Sequence, residues 1–263
     1  MRLPAAKKEL GQHFLVDENI LGVIGRLAEL APEDVVLEVG PGLGVLTAYL
    51  AARVALVHAV ELDRSLEGPL AERLEGHANV DLHFGDALRL DLRALEPPPT
   101  KLVSNLPYNV ATPLVVESLD GLPSLRLWCV MVQREVADRF FAEPSTKAYG
   151  AVSVLVQLAA ERTGFHAVSR TVFRPRPNVD SGLVAFRRRP GANTEDLARV
   201  KNIVTAAFAH RRKRLANSLE LSGSASRAQA EAALAEIGRD PKARAEELTP
   251  PEFVALADAL GRE

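Results

Sequence analysis

The sequence predicts an α/β fold, in which a mostly parallel sheet has helices on both faces and is followed by a small all-helical domain. Short apolar runs of strand length alternate with helix-like stretches up to residue 189, and this alternation is typical of a parallel sheet. Only helical patterns follow Pro190-Gly191. A chain of 263 residues accommodates one large and one small domain, so we expect domains at 1–189 and 190–263.

The individual elements follow from the spacing of apolar residues. Strands are predicted at 35–39, 55–60, 80–84, 101–104, 125–132, 163–169 and 183–186. A helix capped by Asp17 is predicted over 17–30, because its apolar residues recur at helical spacing. Further helices are expected near 46–50, at 65–75 and 135–141, and in the second domain at 195–208, 211–221, 227–237 and 250–260.

Composition indicates a soluble globular protein. Apolar residues make up 47% and charged residues 25% of the chain, which are ordinary proportions, and no run approaches the ~20 apolar residues that cross a bilayer. The first nine residues lack the apolar segment of a secretory signal, and the single cysteine, Cys129, cannot form an internal disulfide. We therefore expect a cytoplasmic protein without a membrane partner and, since no heptad seam is present, a monomer.

Charge is distributed unevenly along the chain, whose net charge is −2. Residues 187–263 hold 14 Lys and Arg against 11 Asp and Glu, a net charge of +3, whereas residues 1–186 carry −5. Within 187–217, nine basic residues stand against only Glu195 and Asp196. A local basic field of this kind binds phosphate backbones even in a slightly acidic protein.

A glycine-rich turn links the first predicted strand to the next helix. Gly40, Gly42 and Gly44 let the backbone turn sharply and approach a ligand closely, next to the N–H groups of the helix. The dinucleotide fingerprint G-x-G-x-x-G fails, because Val45 stands where its last glycine belongs. Pro41 also removes a backbone donor that a pyrophosphate would use. A ligand with less phosphate is therefore expected.

Acidic residues end the next two strands. Glu61 is placed to bind both hydroxyls of a ribose, and Asp86 to accept a hydrogen bond from an adenine amino group. Together with the glycine turn they fall at the carboxyl edge of the sheet, where open α/β sheets bind ligands. The alternatives are a solvated charge for Glu61 and a turn cap for Asp86. S-adenosylmethionine, an adenosine-bearing cofactor without pyrophosphate, fits best, and no metal ligand is expected.

The tetrapeptide Asn105-Leu106-Pro107-Tyr108 follows the short strand 101–104. The Asn105 amide oxygen and the Leu106 carbonyl, whose direction Pro107 presets, are placed to accept hydrogen bonds from an exocyclic amine and to aim its lone pair at a methyl donor. Tyr108 would stack on the ring of a base held out of its helix. A turn that closes a strand is the alternative interpretation. Asn105, Leu106 and Tyr108 are the predicted catalytic residues.

These motifs resemble those of a known family. The set comprises segments 11–15, 38–44, 61–63, 85–87, 105–108, 147–150, 173–181 and 208–213. In this order they look like the small-subunit ribosomal RNA adenine dimethyltransferases (the KsgA/RsmA family), and the resemblance covers nearly the whole chain. It implies a Rossmann-like, seven-stranded class I methyltransferase sheet with a small helical C-terminal domain.

The resemblance also implies an activity and a set of contacts. Such enzymes dimethylate N6 of two adjacent adenosines in the 3′-terminal hairpin loop of small-subunit (16S) RNA, within an immature 30S-type particle, as part of subunit biogenesis. In the family, the usual residue at the position of His13 is asparagine. Cofactor contacts, to which the turn adds Gly42, would come from the matching positions His13, Leu15, Gly40, Glu61, Asp86 and Asn105.

Contacts with the RNA are expected from two further segments. Phe173 precedes a proline-bearing loop and, given the resemblance, is expected to close over the flipped adenine, although a lone Phe is more often a core residue. The cluster Arg211, Arg212, Lys213 and Arg214 is predicted to begin a helix, where cations oppose the helix dipole. RNA phosphate is the natural partner for such a cluster.

Several alternatives stay open from the sequence. The nearest is the antibiotic-resistance branch of the superfamily, which dimethylates one adenine in large-subunit RNA; segments 173–181 and 208–219 favour the small-subunit branch. Another is a ribosome-assembly factor that acts mainly by binding. An oxidoreductase is disfavoured by Val45, and enzymes with an Asn-Pro-Pro-Tyr motif, which act on protein glutamine or DNA, are disfavoured by Leu106.

Overall fold

The computed structural model describes residues 7, 10–192 and 194–261. Its main feature is a seven-stranded sheet in the order β4-β3-β2-β5-β6-β9-β7, beside a two-stranded pair of β1 and β8. The strands are β1 (Phe14–Leu15), β2 (Val35–Val39), β3 (Leu56–Glu61), β4 (Val80–Phe84), β5 (Lys101–Asn105), β6 (Leu127–Gln133), β7 (Ala160–Val168), β8 (Phe173–Arg174) and β9 (Ser181–Arg188). The five neighbouring strands β4, β3, β2, β5 and β6 pair in parallel, and β9 pairs antiparallel with β6. The predicted seven-stranded α/β sheet is therefore confirmed.

Ten α-helices lie within the described part of the chain. They are α1 (Asn19–Leu27), α2 (Val45–Ala51), α3 (Glu67–Arg73), α4 (Ala111–Gly121), α5 (Arg134–Phe140), α6 (Ala151–Ala159), α7 (Thr194–Ala209), α8 (Leu215–Leu221), α9 (Arg227–Glu236) and α10 (Pro250–Leu260). None of them has the length and the apolar composition of a bilayer-spanning segment. Residues 1–6, 8 and 9, on which the expectation of a missing secretory signal rests, lie outside the described residues.

The central strands β2 and β6 are buried along nearly their whole length, as expected where a sheet is covered on both faces. All five residues of β2 are buried. On one face Val36 and Val57 stand side by side in register and belong to a hydrophobic cluster with Ile24 of α1 and Leu50 of α2. Full burial of each such side chain contributes ~1.5–3 kcal/mol. This packing holds β2 and β3 in place, and with them the loops that follow.

The chain divides into two compact units. One consists of residues 1–137 and 162–188, the other of 138–161 and 189–263. The predicted boundary after residue 189 lies one residue from the division between residues 188 and 189. Residues 138–161, by contrast, group with the helical C-terminal part. Their grouping is a tertiary effect, because α6 packs against α7 and α10, although in the sequence it continues the alternation of helix and strand.

One predicted helix begins later than expected. Instead of residue 211, α8 begins at Leu215. The Lys213 N–H donates to the His210 carbonyl at 2.8 Å, and Arg214 has an extended backbone (φ −61°, ψ 150°) at the N-cap. The basic residues 211–214 therefore form a turn that precedes the helix.

Candidate active site

A cavity opens at the carboxyl ends of β2, β3, β4 and β5. It is lined by the segments 10–15, 38–43, 60–62, 85–88 and 105–110, together with Val45 and Leu46. The parallel register of the four strands brings these loops to one edge of the sheet. The predicted convergence of the glycine turn, the two acids and the tetrapeptide is therefore observed, and every described residue that forms the cavity lies in the first unit.

The glycine turn lies directly against the tetrapeptide. Gly40 has φ +76°, and a Cβ atom there would lie 3.0 Å from Cγ of Pro107. Gly42 has φ +59°, and its N–H donates to Oε2 of Glu61 at 3.1 Å. A side chain at Gly40 would crowd Pro107 and shift one loop against the other, so glycine is favoured there by space as well as by backbone conformation.

The two predicted acids are held by backbone N–H groups. Glu61 is 5% exposed and accepts from Gly42 and, at 2.8 Å, from the Asp63 N–H. Burial raises the pKa of Glu61, and these backbone hydrogen bonds oppose the rise. Because each carboxylate oxygen has two lone pairs, Glu61 keeps the capacity to accept from a ligand. Asp86 accepts from the Leu88 N–H at 3.0 Å, so it also caps a turn.

In the tetrapeptide, the side-chain amide of Asn105 and the backbone N–H of Leu106 donate hydrogen bonds within the protein. Nδ2 of Asn105 donates to the His13 carbonyl at 3.2 Å, which leaves the amide oxygen to accept from a ligand. The N–H of Leu106 donates to Met131 at 3.0 Å, and the N–H groups of Val110 and Ala111 donate to the Pro107 carbonyl. The first turn of α4 therefore makes no use of the Leu106 carbonyl.

The side chain of Tyr108 is held in place through its hydroxyl group. Its hydroxyl and the Ser181 hydroxyl share a hydrogen bond of 2.7 Å. Burial raises the pKa of Tyr108, while that hydrogen bond opposes the rise and the charge of Asp180 adds to it. The Tyr108 and His13 ring centroids are 5.4 Å apart. The Tyr108 ring thus lies beside the His13 ring, and both residues line the cavity.

The segment 10–15 forms one wall of the cavity and is tied to the β3 end by polar contacts. Nζ of Lys7 and Nε2 of Gln12 donate to the Asp63 carboxylate at 2.6 and 2.9 Å. Although burial alone would raise the pKa of Asp63, hydrogen bonds from Lys7, Ser65 and Gln12 hold it well below its usual range. The structural part played by Lys7, Gln12 and Asp63 was not predicted, since only the fold brings residues 56 and 51 positions apart into contact.

His13 and Leu15 both line the cavity, while their contacts with a cofactor stay a prediction. Nδ1 of His13 lies 2.7 Å from the Pro175 carbonyl. Because a carbonyl only accepts, Nδ1 carries the proton and Nε2 is the nitrogen that remains for other contacts. Leu15 is buried and pairs with Phe173 across β1 and β8.

Glu38 is a site residue that received no role from the sequence. It is 1% exposed, it lines the cavity, and its Oε2 has no hydrogen-bond partner within the described residues. Burial raises the pKa of Glu38 to about 8, and the neighbouring charge of Glu61 adds to this rise. An acid inside an otherwise apolar strand was the available signal, because an ionisable residue is seldom buried without a reason.

The structure places Phe173 in the core, and its expected contact with a flipped adenine stays a prediction. Phe173 is 2% exposed and belongs to the hydrophobic cluster that also contains Leu15 and Ile24. It is absent from the cavity lining. The pairing of Leu15 with Phe173 in the β1–β8 register places its side chain in the core, and this pairing was not visible in the sequence.

The predicted RNA-binding cluster is exposed, with one member used internally. Nη2 of Arg211 donates to the carbonyls of Lys147, at 2.9 Å, and Tyr149. Arg212, Lys213 and Arg214 are exposed on the turn before α8. Arg211 therefore connects the turn to the segment before α6, while its contact with RNA stays a prediction.

The strand order, the antiparallel β9 and the glycine turn at the carboxyl edge define a Rossmann-like protein of the class I methyltransferase type. The cavity is lined by the Glu61 carboxylate and by the glycine turn, in which Pro41 has no backbone N–H to donate. A model of the family described as ribosomal RNA adenine dimethylase matches residues 4–260. The chain belongs to this family.

One curated relative and two solved structures are similar to this chain. The chain is 50% identical over 255 residues to the ribosomal RNA small subunit methyltransferase A of Rubrobacter xylanophilus, covering 97% of this chain and 95% of that one. A solved dimethyladenosine transferase from Plasmodium falciparum is similar in fold, with a TM-score of 0.76 at 22% identity, covering 93% and 96% of the two chains. The solved 23S rRNA methyltransferase ErmE is similar with a TM-score of 0.65 at 30% identity, covering 94% and 99%.

Proposed function

We propose that this protein transfers methyl groups from S-adenosylmethionine to N6 of two adjacent adenosines in the 3′-terminal hairpin loop of small-subunit rRNA. The observation that carries the proposal is the Asn105 amide, whose Nδ2 is engaged by His13 so that its oxygen is left to accept from an amine. The methyl transfer would take place in the cytoplasm on an immature 30S-type particle, as part of subunit biogenesis. The protein would act as a monomer.

The residues around the cavity suit the proposed cofactor. Glu61 offers acceptors for the ribose hydroxyls, Asp86 for the adenine amino group, and Gly40 a close backbone approach. The remaining contacts would come from His13, Leu15, Gly42 and Asn105. When bound, S-adenosylmethionine supplies an electrophilic methyl group on a sulfonium.

Asn105, Leu106 and Tyr108 would make the adenine amine reactive. Its lone pair delocalises into the ring, so the free base is a poor nucleophile. Hydrogen bonds to the Asn105 amide oxygen and the Leu106 carbonyl would favour a pyramidal nitrogen, while stacking on Tyr108, worth ~1–3 kcal/mol, would hold the base out of its helix. Catalysis then depends on position and electrostatics, without a covalent intermediate on the protein.

The RNA would be held mainly through phosphates. Arg212, Lys213 and Arg214 lie exposed on the turn before α8, and cations in such a turn bind phosphate oxygens without selecting a sequence. They would position the RNA, and Asn105 to Tyr108 would select the base. Arg211 would contribute indirectly, since its guanidinium supports the turn through Lys147 and Tyr149.

The test supplies the protein with immature small subunits, large subunits and labelled methyl donor, and then maps the modified base. We expect N6,N6-dimethyladenosine at two adjacent positions in small-subunit RNA and no label with the Asn105→Ala variant. Label on large-subunit RNA would transfer the assignment to the activity that the name ErmE describes. Tight particle binding without any label would instead indicate an assembly factor.

A further inference from the structure

A second cluster of polar side chains lies on β3 and β4 and is not part of the cavity lining. His58 of β3 stands in register with Asp81 of β4, and His83 is two residues further along β4. Nδ1 of His58 and Nε2 of His83 lie 3.4 and 2.9 Å from the same atom, Oδ2 of Asp81. All three ligand-type atoms lie within 4.8 Å of one another.

Each of the two imidazoles directs one ring nitrogen toward the Asp81 carboxylate. His58 is 0% and His83 32% exposed, and both Nδ1 of His58 and Nε2 of His83 are shielded from solvent. Neither atom has a hydrogen-bond partner of acceptable geometry among the described residues. A buried polar atom without a partner is costly and needs an explanation.

The tautomer of His58 is set by its other nitrogen. Nε2 of His58 lies 2.9 Å from the Pro97 carbonyl, which only accepts, so Nε2 carries the proton. In the neutral ring Nδ1 therefore keeps its lone pair. A carbonyl that holds the distal N–H of an imidazole is the usual outer partner of a metal-bound histidine, because it orients the ring and makes the ligand nitrogen more basic.

We propose that His58, Asp81 and His83 form a binding site for a divalent late transition-metal ion, of which Zn²⁺ is the representative. Two imidazole nitrogens and a carboxylate oxygen are a normal zinc donor set, and bond lengths of about 2.0–2.2 Å place the ligand atoms of a tetrahedral ion roughly 3.3 Å apart. The observed 2.9 and 3.4 Å lie on either side of that value.

Water completes the coordination sphere from the open side. The Asp81 side chain is 51% exposed, so a fourth position is accessible to solvent. An ion here links the edge strand β4 to β3 and, through His58, to the loop that carries Pro97. No metal ligand was predicted from the sequence, because residues 58, 81 and 83 come together only when the two strands pair.

The test is titration of metal-free, full-length protein with ZnCl2, followed by calorimetry, with Co²⁺ absorption as a spectroscopic check. We expect one ion per chain and a rise in Tm that a chelator reverses, since a ligand that binds only the folded state stabilises it. His83→Ala should weaken binding by more than the ~10–100-fold that loss of an outer partner costs. His166→Ala, which removes an exposed histidine of β7, should leave binding unchanged.

His83 is the better position for this substitution, because His58 is fully buried and its loss would disturb the sheet. Circular dichroism of His83→Ala checks that the fold persists, and Asp81→Asn should weaken binding in the same way. Equal zinc affinity in native protein, His83→Ala and Asp81→Asn would overturn the proposal, as would the lack of saturable binding at micromolar zinc. The readout is metal binding, so it is independent of methyl transfer.

Discussion

The side-chain amide of Asn105 donates a hydrogen bond to the backbone carbonyl of His13 at 3.2 Å, across 92 residues of sequence. This contact orients the amide group, in which the oxygen is the acceptor. The His13 segment is itself held by the contacts of Gln12 and Lys7 with Asp63. The N-terminal segment therefore orients the predicted catalytic amide as well as forming a wall of the cavity.

Asn105→Ala should reduce methyl transfer below detection while most cofactor affinity remains. The lost hydrogen bond matters chiefly when the amine becomes pyramidal near the transition state, so the rate constant falls more than binding does. Single-turnover assays and calorimetry with S-adenosylmethionine measure the two effects. Asn202→Ala, at an exposed position of α7, is the control, and unchanged turnover in Asn105→Ala would refute the role of the amide.

Gly40→Ala should lose both stability and cofactor binding. The positive φ of +76° costs about 1–2 kcal/mol for a residue with a side chain, and the new Cβ meets Pro107. Gly76 provides a matched control, because its φ is +88° and its Cβ would meet nothing within 4 Å. Urea unfolding should show a loss of stability in both alanine variants, larger in Gly40→Ala because of the contact with Pro107, whereas only Gly40→Ala should weaken cofactor affinity. Equal affinities would show that the Gly40–Pro107 contact does not shape the cavity.

Glu38 should make stability fall as pH rises. Burial raises its pKa from 4.5 to about 8, so between these values the folded state binds one more proton than the unfolded state. The stability that Glu38 contributes through this extra proton is fully present at low pH. As the pH rises from 4.5 to about 8, the free energy of unfolding should decrease by up to ~1.4 kcal/mol per pH unit.

Urea unfolding at pH 5 to 8.5 measures this slope. Glu38→Gln, which cannot ionise, should flatten it and be more stable than native protein at the alkaline end. Glu33→Gln, at an exposed position, should keep the native slope. A native slope in Glu38→Gln would assign the pH dependence to other groups.

Charge reversal in the turn before α8 should weaken RNA binding and its salt dependence. Arg212→Glu combined with Lys213→Glu removes two exposed cations without touching the Arg211 contacts. Each lost phosphate contact lowers the slope of log K against log salt by about 1, so the slope should fall by about 2. Lys242→Glu with Arg244→Glu makes the same change of charge elsewhere in the second unit and should have a smaller effect. Equal slopes in the two double variants would place the RNA surface elsewhere.

Prediction from the sequence was closest where an element is determined locally. Strands 35–39 and 80–84 were predicted with the bounds observed, because each is an apolar run with a turn at its end. The start of α8 was wrong by four residues, since helical spacing in Leu215–Leu221 does not reveal that residues 210–214 close a turn. The burial of Phe173 was not predicted, because it depends on pairing with Leu15, 158 positions earlier.

The sequence by itself determined the strand-and-helix alternation, the glycine turn and the acids at strand ends, because period and turn chemistry are local properties of the chain. It also carried the family, through motifs in a fixed order. Only the tertiary structure decided how the side chains of those motifs are oriented toward the cavity. Hydrogen bonds to His13 and Gly42 orient Asn105 and Glu61, and the pairing of β3 with β4 assembles His58, Asp81 and His83. Such partners are distant in sequence, and they meet only because burial of the shared core outweighs the entropy of ordering the chain between them.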